Sequence, residues 1–258
     1  MLDTFYIILF FIFGTYLGSF LSVVGIRLPK NEKFIIDHSR CDSCKHRLKL
    51  REMIPLFSYI IKRGKCSHCG KKIPNMFFLM ELFTGVLFAV SFYSFGFTLS
   101  LLIALGIVSL LIIVTVSDLT YLIIPDEVLI FFSIYFIIIQ FFRLGLRQTL
   151  MQILIGVFLF LIMYIIMILG KKVFKKESLG GGDVKMMFLF GLILDPLLGT
   201  LTIFLGSLFA LPVSLYLYYA NKEHVIPFGP FLILAFAFIF FLKIEPSEVI
   251  AWLGLSRG

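Results

Sequence analysis

The sequence has 258 residues, 60% of them apolar and 15% charged, against about 45–50% and 25% in an ordinary soluble domain. With 23 basic and 15 acidic side chains to cover 32 Phe and the surrounding Leu and Ile, a water-soluble globule is excluded and a lipid bilayer is the expected solvent. The net charge of +8 raises nucleic acid as a partner, and the placement of the basic residues decides against it.

Residues 4–26 form the first apolar run. Met1-Leu2-Asp3 is acidic and the run has full span length, unlike the basic start and short core of a cleaved signal, so a retained helix is predicted. Residues 27–75 follow as the one long polar segment, with 13 of the 23 basic residues and only Glu32, Asp37, Asp42 and Glu52 as acids. Between Glu81 and Asp118 lie 36 uncharged residues, too many for one crossing, so a hairpin turning at Tyr93-Ser94-Phe95-Gly96 is expected. Further spans are predicted from about Ile124 to Phe142 and from Thr149 to Leu169. A short sixth follows Lys185 and stops at Asp195-Pro196. Residues 197–219, with Pro212 as a possible kink, and 229–242 complete eight. The fold class is thus an all-α polytopic membrane protein with a small loop module. Its expected parts are a first helix (1–26), the basic loop (27–75) and a helical bundle (76–258).

Alternating the spans places 19 basic residues on one side and four (Arg143, Arg147, Lys243, Arg257) on the other. By the positive-inside rule the long loop is cytosolic and the N-terminus outside. The basic residues then serve topology, and no nucleic-acid partner is expected.

All four cysteines fall in that loop, as Cys41-Asp42-Ser43-Cys44 and Cys66-Ser67-His68-Cys69, with 21 residues between the pairs. Each C-x-x-C turn can offer two thiolates to one metal, and two such turns complete a tetrahedral site, so structural zinc is predicted. A disulfide pair is the rival, disfavoured in a reducing cytosol. Four protein ligands leave no open position for water, so this metal would organise the loop and not catalyse. His46 and His68 lie nearby and could substitute as ligands, but plain exposed loop histidines are the favoured reading. The run from Met53 to Ile61 has two possible beds, between the knuckles or on the bilayer surface.

Acidic residues beside or within spans are costly and therefore functional candidates. They are Glu81, Asp118, Asp126, Glu127, Asp183 and Asp195. Asp118 ends the third span and opens the turn to Ile124-Pro125-Asp126. Asp183 closes Gly180-Gly181-Gly182-Asp183 and precedes Val184-Lys185. Two spans separate these sites, so both aspartates lie on the cytosolic side. Two carboxylates brought together share one proton: the ionised member can deprotonate a water while its protonated partner polarises a peptide carbonyl. The glycines would let an extended substrate approach the backbone. Taken singly, each aspartate could equally be a helix cap or an ion-pair partner.

Several motifs in order resemble the type IV prepilin peptidases. They are Gly18-Ser19-Phe20-Leu21-Ser22-Val23-Val24 with Arg27-Leu28-Pro29, both cysteine pairs, Ile54-Pro55-Leu56-Phe57-Ser58-Tyr59, Arg63-Gly64-Lys65-Cys66 and Glu81-Leu82 with Thr84-Gly85. The series continues with the Asp118-to-Asp126 segment, Gly180-x-Gly182-Asp183-x-Lys185 and Pro227-Phe228-Gly229-Pro230-Phe231. The resemblance implies a GxGD-type aspartic protease of the bacterial cell membrane, with Asp118 and Asp183 as its catalytic pair. Gly180, Gly182, Lys185 and Asp126 are implied as supporting motif residues, Asp126 as a structural one. It also implies prepilin or pseudopilin substrates, cleaved after the glycine of a short basic leader, and N-methylation of the new terminus from S-adenosylmethionine. Ser22 stands where the family commonly has Asn, and Met76-Phe77-Phe78 where it has Arg-Tyr-Pro. Both departures lie outside the protease motifs, and no residue is assigned to methyl transfer. Competing readings are a GxGD protease without methyltransferase activity, an ion-coupled transporter with acidic ion sites, and a zinc-ribbon scaffold.

Overall fold

The computed structural model describes residues 2–33, 40, 41, 43–175, 180–220 and 227–252. Asp37, Asp42, Lys176, Lys222 and Arg257, which enter the charge count above, lie outside them. The chain folds into helices α1 (Leu2–Arg27), α2 (Phe57–Ile61), α3 (Asn75–Phe95), α4 (Leu99–Tyr121) and α5 (Asp126–Leu144). These are followed by α6 (Leu146–Phe174), α7 (Gly181–Gly191), α8 (Pro196–Tyr219), α9 (Gly229–Phe241) and α10 (Pro246–Trp252). Among the described residues there is no strand, only two isolated bridges, Arg40 with Arg47 and Lys65 with Lys72.

The all-helical architecture is borne out, and each of the eight apolar runs forms a helix. Among the described residues, six helices (α1, α3, α4, α5, α6 and α8) are long and apolar enough to cross a membrane, or seven if α9 and α10, bent by 100° at their junction, count as one span. The shortfall from eight lies in α7 and α9. At 11 residues, α7 rises about 16 Å, half of the roughly 30 Å of hydrocarbon. It stops before Asp195-Pro196, where proline opens α8. Pro212 sits inside α8.

The chain divides into two compact units, residues 1–101 and 102–258. In the first, α1 packs against α3 at nearly backbone distance. A Cβ on Gly14 would lie 2.9 Å from the Gly85 Cα, the small-residue contact that replaces hydrophobic driving force between helices in lipid. In the second, α6 and α7 meet the same way, a Cβ on Gly191 falling 2.5 Å from the Gly156 Cα. Because α7 ends early, its terminal carbonyls need donors away from water. The buried Gln140 of α5 supplies one, its Nε2 donating to the Leu192 carbonyl at 2.9 Å.

Candidate active site and metal centre

Asp118 lies one turn before the end of α4 and Asp183 in the first turn of α7, each only 6% exposed. Their meeting is arranged by the linker between α4 and α5. The chain leaves α4 through Leu122, at a φ of 55°, and the Leu122 N–H returns to the Asp118 carbonyl at 2.9 Å. Pro125 then starts α5. This turn aims Ile124 into a gap between two glycines. A Cβ on Gly182 would lie 2.7 Å from the Ile124 Cβ, and one on Gly229 would lie 2.9 Å from its Cδ1. Ile124, on the linker that leaves α4, therefore packs on both the start of α7 and the start of α9. Across this junction Asp118 and Asp183 interact electrostatically.

The two carboxylates are held differently. Asp118 Oδ2 accepts from the Gly229 N–H at 3.2 Å. The same oxygen lies 3.1 Å from where a Gly229 Cβ would be, a tighter approach than most side chains make. Asp183 bonds to the backbone of Gly180, while its Oδ1 is buried with no hydrogen-bond partner among the described residues. A carboxylate in the first turn of a helix is also favoured by the helix dipole. The glycines of the motif are not equivalent: Gly182 is packed on Ile124, and a side chain on Gly181 would meet nothing within 4 Å.

Lys185 and Asp126 come together as a pair of their own. Lys185 Nζ lies 2.7 Å from both Asp126 oxygens, tying α7 to α5, and both side chains are at least half exposed. They rim a cavity of about 530 Å³ lined by Ile130, Ile134, Val157 and Phe188. Two residues along a helix is about 200° of rotation, so Lys185 and this cavity lie on the side of α7 away from Asp183. Glu127 and Asp195 are exposed at the starts of α5 and α8. Glu81, buried in α3, accepts from the Leu56 N–H at 2.8 Å.

The four cysteines converge in the first unit. Their sulfurs all lie within 4.8 Å of one another, with Cys41 to Cys69 at 3.9 Å and Cys44 to Cys66 at 4.0 Å. That is far beyond the roughly 2.05 Å of a disulfide. The two knuckles repeat one geometry. The Cys41 N–H donates to the His46 carbonyl and the Cys66 N–H to that of Lys71. Four residues after each of these cysteines the chain turns at positive φ, at Lys45 (57°) and Gly70 (68°). His46 and His68 stack ring on ring, centroids 4.6 Å apart, and take no place in the sulfur cluster. The knuckles are buttressed by Glu52, which accepts from Lys62 Nζ at 2.6 Å, from the Ser67 hydroxyl and from the Lys49 N–H. Lys62 and Ser67 hold the Glu52 carboxyl well below the usual range, at about 2.

Two partners were not recognised as such from sequence. The Gly229 N–H was visible only as part of a proline-flanked motif, and Ile124 only as an apolar residue before a proline. Their role depends on contacts between residues more than 50 positions apart, for which a single sequence carries no local signal.

Residues 12–95 match the bacterial peptidase A24 N-terminal domain, and residues 105–215 match the type IV leader peptidase family. A Vibrio cholerae protein named prepilin leader peptidase/N-methyltransferase is 30% identical over 253 residues, covering 92% of this chain and 96% of that protein. The chain belongs to the type IV leader peptidase family. Proteins of the same name from Bacillus subtilis and Myxococcus xanthus are 43% and 37% identical, over 47% and 74% of this chain. In these two alignments the chain spans 49% and 57% of the relative's length. No solved structure matches the chain. The family and the apolar helices together make it a membrane protein.

Proposed function

We propose that the chain is a membrane aspartic endopeptidase that removes the leader of type IV prepilins or pseudopilins and N-methylates the new N-terminal residue from S-adenosylmethionine. The observation that carries the protease reading is the junction at Ile124, which packs on Gly182 beside the buried Asp183 and on Gly229 beside the buried Asp118, gathering two aspartates from separate helices. Family membership supports both halves of the activity.

In this reading Asp118 and Asp183 share one proton, as like charges at close range require. The ionised carboxylate takes a proton from a water as it attacks the scissile carbonyl, and the protonated partner donates to the carbonyl oxygen. Collapse of the tetrahedral adduct breaks the C–N bond, and the proton held by the first carboxylate passes to the leaving amine. The Gly229 N–H fixes the orientation of Asp118, and the unpartnered Asp183 Oδ1 is the oxygen available to substrate. Gly180 and Gly182 position the Asp183 turn. Lys185 and Asp126 brace α7 on α5. S-adenosylmethionine supplies the methyl group for the freed amine.

The cysteine cluster is assigned to structural zinc. A tetrahedron with Zn–S bonds of 2.3 Å places its sulfurs about 3.8 Å apart, and the paired sulfurs lie at 3.9 and 4.0 Å. Cys41, Cys44, Cys66 and Cys69 would be the ligands, and with all four positions filled the ion would brace the segment. The excess of basic residues in segment 27–75, 13 against four acidic, supports a cytosolic setting for that segment and for the aspartates.

The test is cleavage of a purified prepilin by Asp118→Asn and Asp183→Asn variants. Both are expected to lose cleavage while remaining helical and monodisperse; full cleavage by both would overturn the assignment. Mass analysis of the product N-terminus tests the second activity, an unmethylated product from the unaltered chain counting against it.

A further inference from the structure

We infer that α2 is a membrane-interface anchor, with Phe57, Ile60 and Ile61 inserted into the headgroup region of the bilayer alongside α3. The inference rests on the membrane setting of the helices and not on the proposed catalytic chemistry.

Three contacts fix where α2 sits. The Leu56 N–H donates to Glu81 at 2.8 Å, Tyr59 donates to the Asn75 Oδ1 at 2.6 Å, and the Tyr59 ring stacks on Phe78 with centroids 5.0 Å apart. All three partners belong to the first two turns of α3. That helix has 21 residues, about 31 Å of rise, which matches the hydrocarbon thickness. Glu81 stands six residues in from Asn75, about 9 Å along the axis. The start of α2 is thus held about one to two turns in from the end of α3, within the headgroup–acyl boundary and not out in water.

The approach to α2 is built for this. Pro55, Leu56 and Phe57 make a γ-turn, the Phe57 N–H returning to the Pro55 carbonyl at 2.6 Å with Leu56 at a φ of 60° and a ψ of −54°. This conformation is rare and strained for a residue with a side chain. Here it directs the Leu56 N–H at a buried carboxylate. With Tyr59 turned toward α3, Phe57 is 68% exposed, Ile60 62% and Ile61 75%. The run from Met53 to Ile61 therefore does not lie buried between the knuckles.

Charge identifies the occupant. Arg51, Arg63 and Lys65 are exposed and flank α2 in the sequence, and the whole segment from 27 to 75 carries 13 basic and four acidic residues. An apolar helix face flanked by cations, at interface depth, fits a phospholipid surface containing anionic headgroups. A second copy of the chain would bring the same positive charge and is disfavoured.

The test uses the full chain in nanodiscs of phosphatidylcholine and phosphatidylglycerol. Trp252, the one tryptophan, is changed to Phe, and single tryptophans are placed as Phe57→Trp, Ile60→Trp or Ile61→Trp, with Lys71→Trp as control. All four positions are exposed, so no packing is lost, and any one of the three probes suffices to report. Lipids brominated near the carbonyl end of the acyl chain are expected to cut emission by about twofold or more at 57, 60 and 61, with little change at 71. Equal lipid quenching at all four positions would overturn the inference. So would shielding from aqueous iodide without lipid quenching, the signature of a second copy or a bound substrate helix.

Discussion

Replacing Gly182 by Ala tests whether Ile124 organises the aspartate pair. The new Cβ would start 2.7 Å from the Ile124 Cβ and 3.0 Å from its Cδ1, where carbon atoms rest at about 3.5–4.0 Å. The Ile124 Cβ is fixed to a backbone held between Leu122 and Pro125, so rotamer change does not relieve the overlap. The first turn of α7, with Asp183 on it, must retreat by about 0.8 Å to restore contact distance. A displacement near 1 Å in a catalytic group costs about 10²-fold in rate, equivalent to about 2.7 kcal/mol of barrier. Alanine favours helix over glycine by about 1 kcal/mol, so poorer helix formation does not account for a loss. Cleavage of prepilin is measured as separate kcat and KM values, with far-ultraviolet circular dichroism as the folding check. The fall is expected in kcat. Gly181→Ala, whose Cβ meets nothing within 4 Å, is expected to leave both constants unchanged. A Gly182→Ala enzyme as fast as the parent, or a Gly181→Ala enzyme equally slow, would refute the reasoning.

Other consequences follow from the same geometry. Lys185→Ala breaks an ion pair with both partners at least half exposed, worth at most about 1 kcal/mol after solvent screening, so stability to heat should change little and cleavage by less than about tenfold. Serine at all four cysteines should remove bound zinc, measured by atomic emission, and open residues 40–72 to limited proteolysis; full metal content in that variant would refute the ligand assignment. Because the Glu52 carboxyl is held at about 2, below its ordinary value of about 4.3, its contribution is complete above that ordinary value and is lost as pH falls toward 2. The difference in proteolytic protection between the parent chain and Glu52→Gln should therefore shrink with acidification across that window. At Glu81, Gln keeps an acceptor for the Leu56 N–H and Ala does not, so Glu81→Ala should expose the α2 segment to protease more than Glu81→Gln.

What the sequence made legible was governed by local rules. Apolar run length located the helices, C-x-x-C spacing located the sulfur cluster, and the scarcity of acids near span ends singled out Asp118 and Asp183. The number of full-length spans was harder to read, because α7 and α9 are apolar yet short. Only the bend after Phe241 and the stop before Asp195 show where they end. Asp126 and Lys185 were visible as motif residues, but their pairing depends on α5 and α7 lying side by side. The bed of the run from Met53 to Ile61 was also undetermined. It depends on one hydrogen bond from a backbone amide to Glu81 across 25 positions, and on a strained turn at a leucine, which no propensity favours.

The early stop of α7 bears on how the protein is made. A segment of 11 residues is too short to partition into lipid by itself as a spanning helix, and the Leu192 carbonyl needs a donor at once. That donor, Gln140, is synthesised 52 residues earlier on α5. The half-length helix thus takes its donor from a span that precedes it in the chain. A truncated chain lacking α5 should leave the segment carrying Asp183 uninserted, whatever its own hydrophobicity.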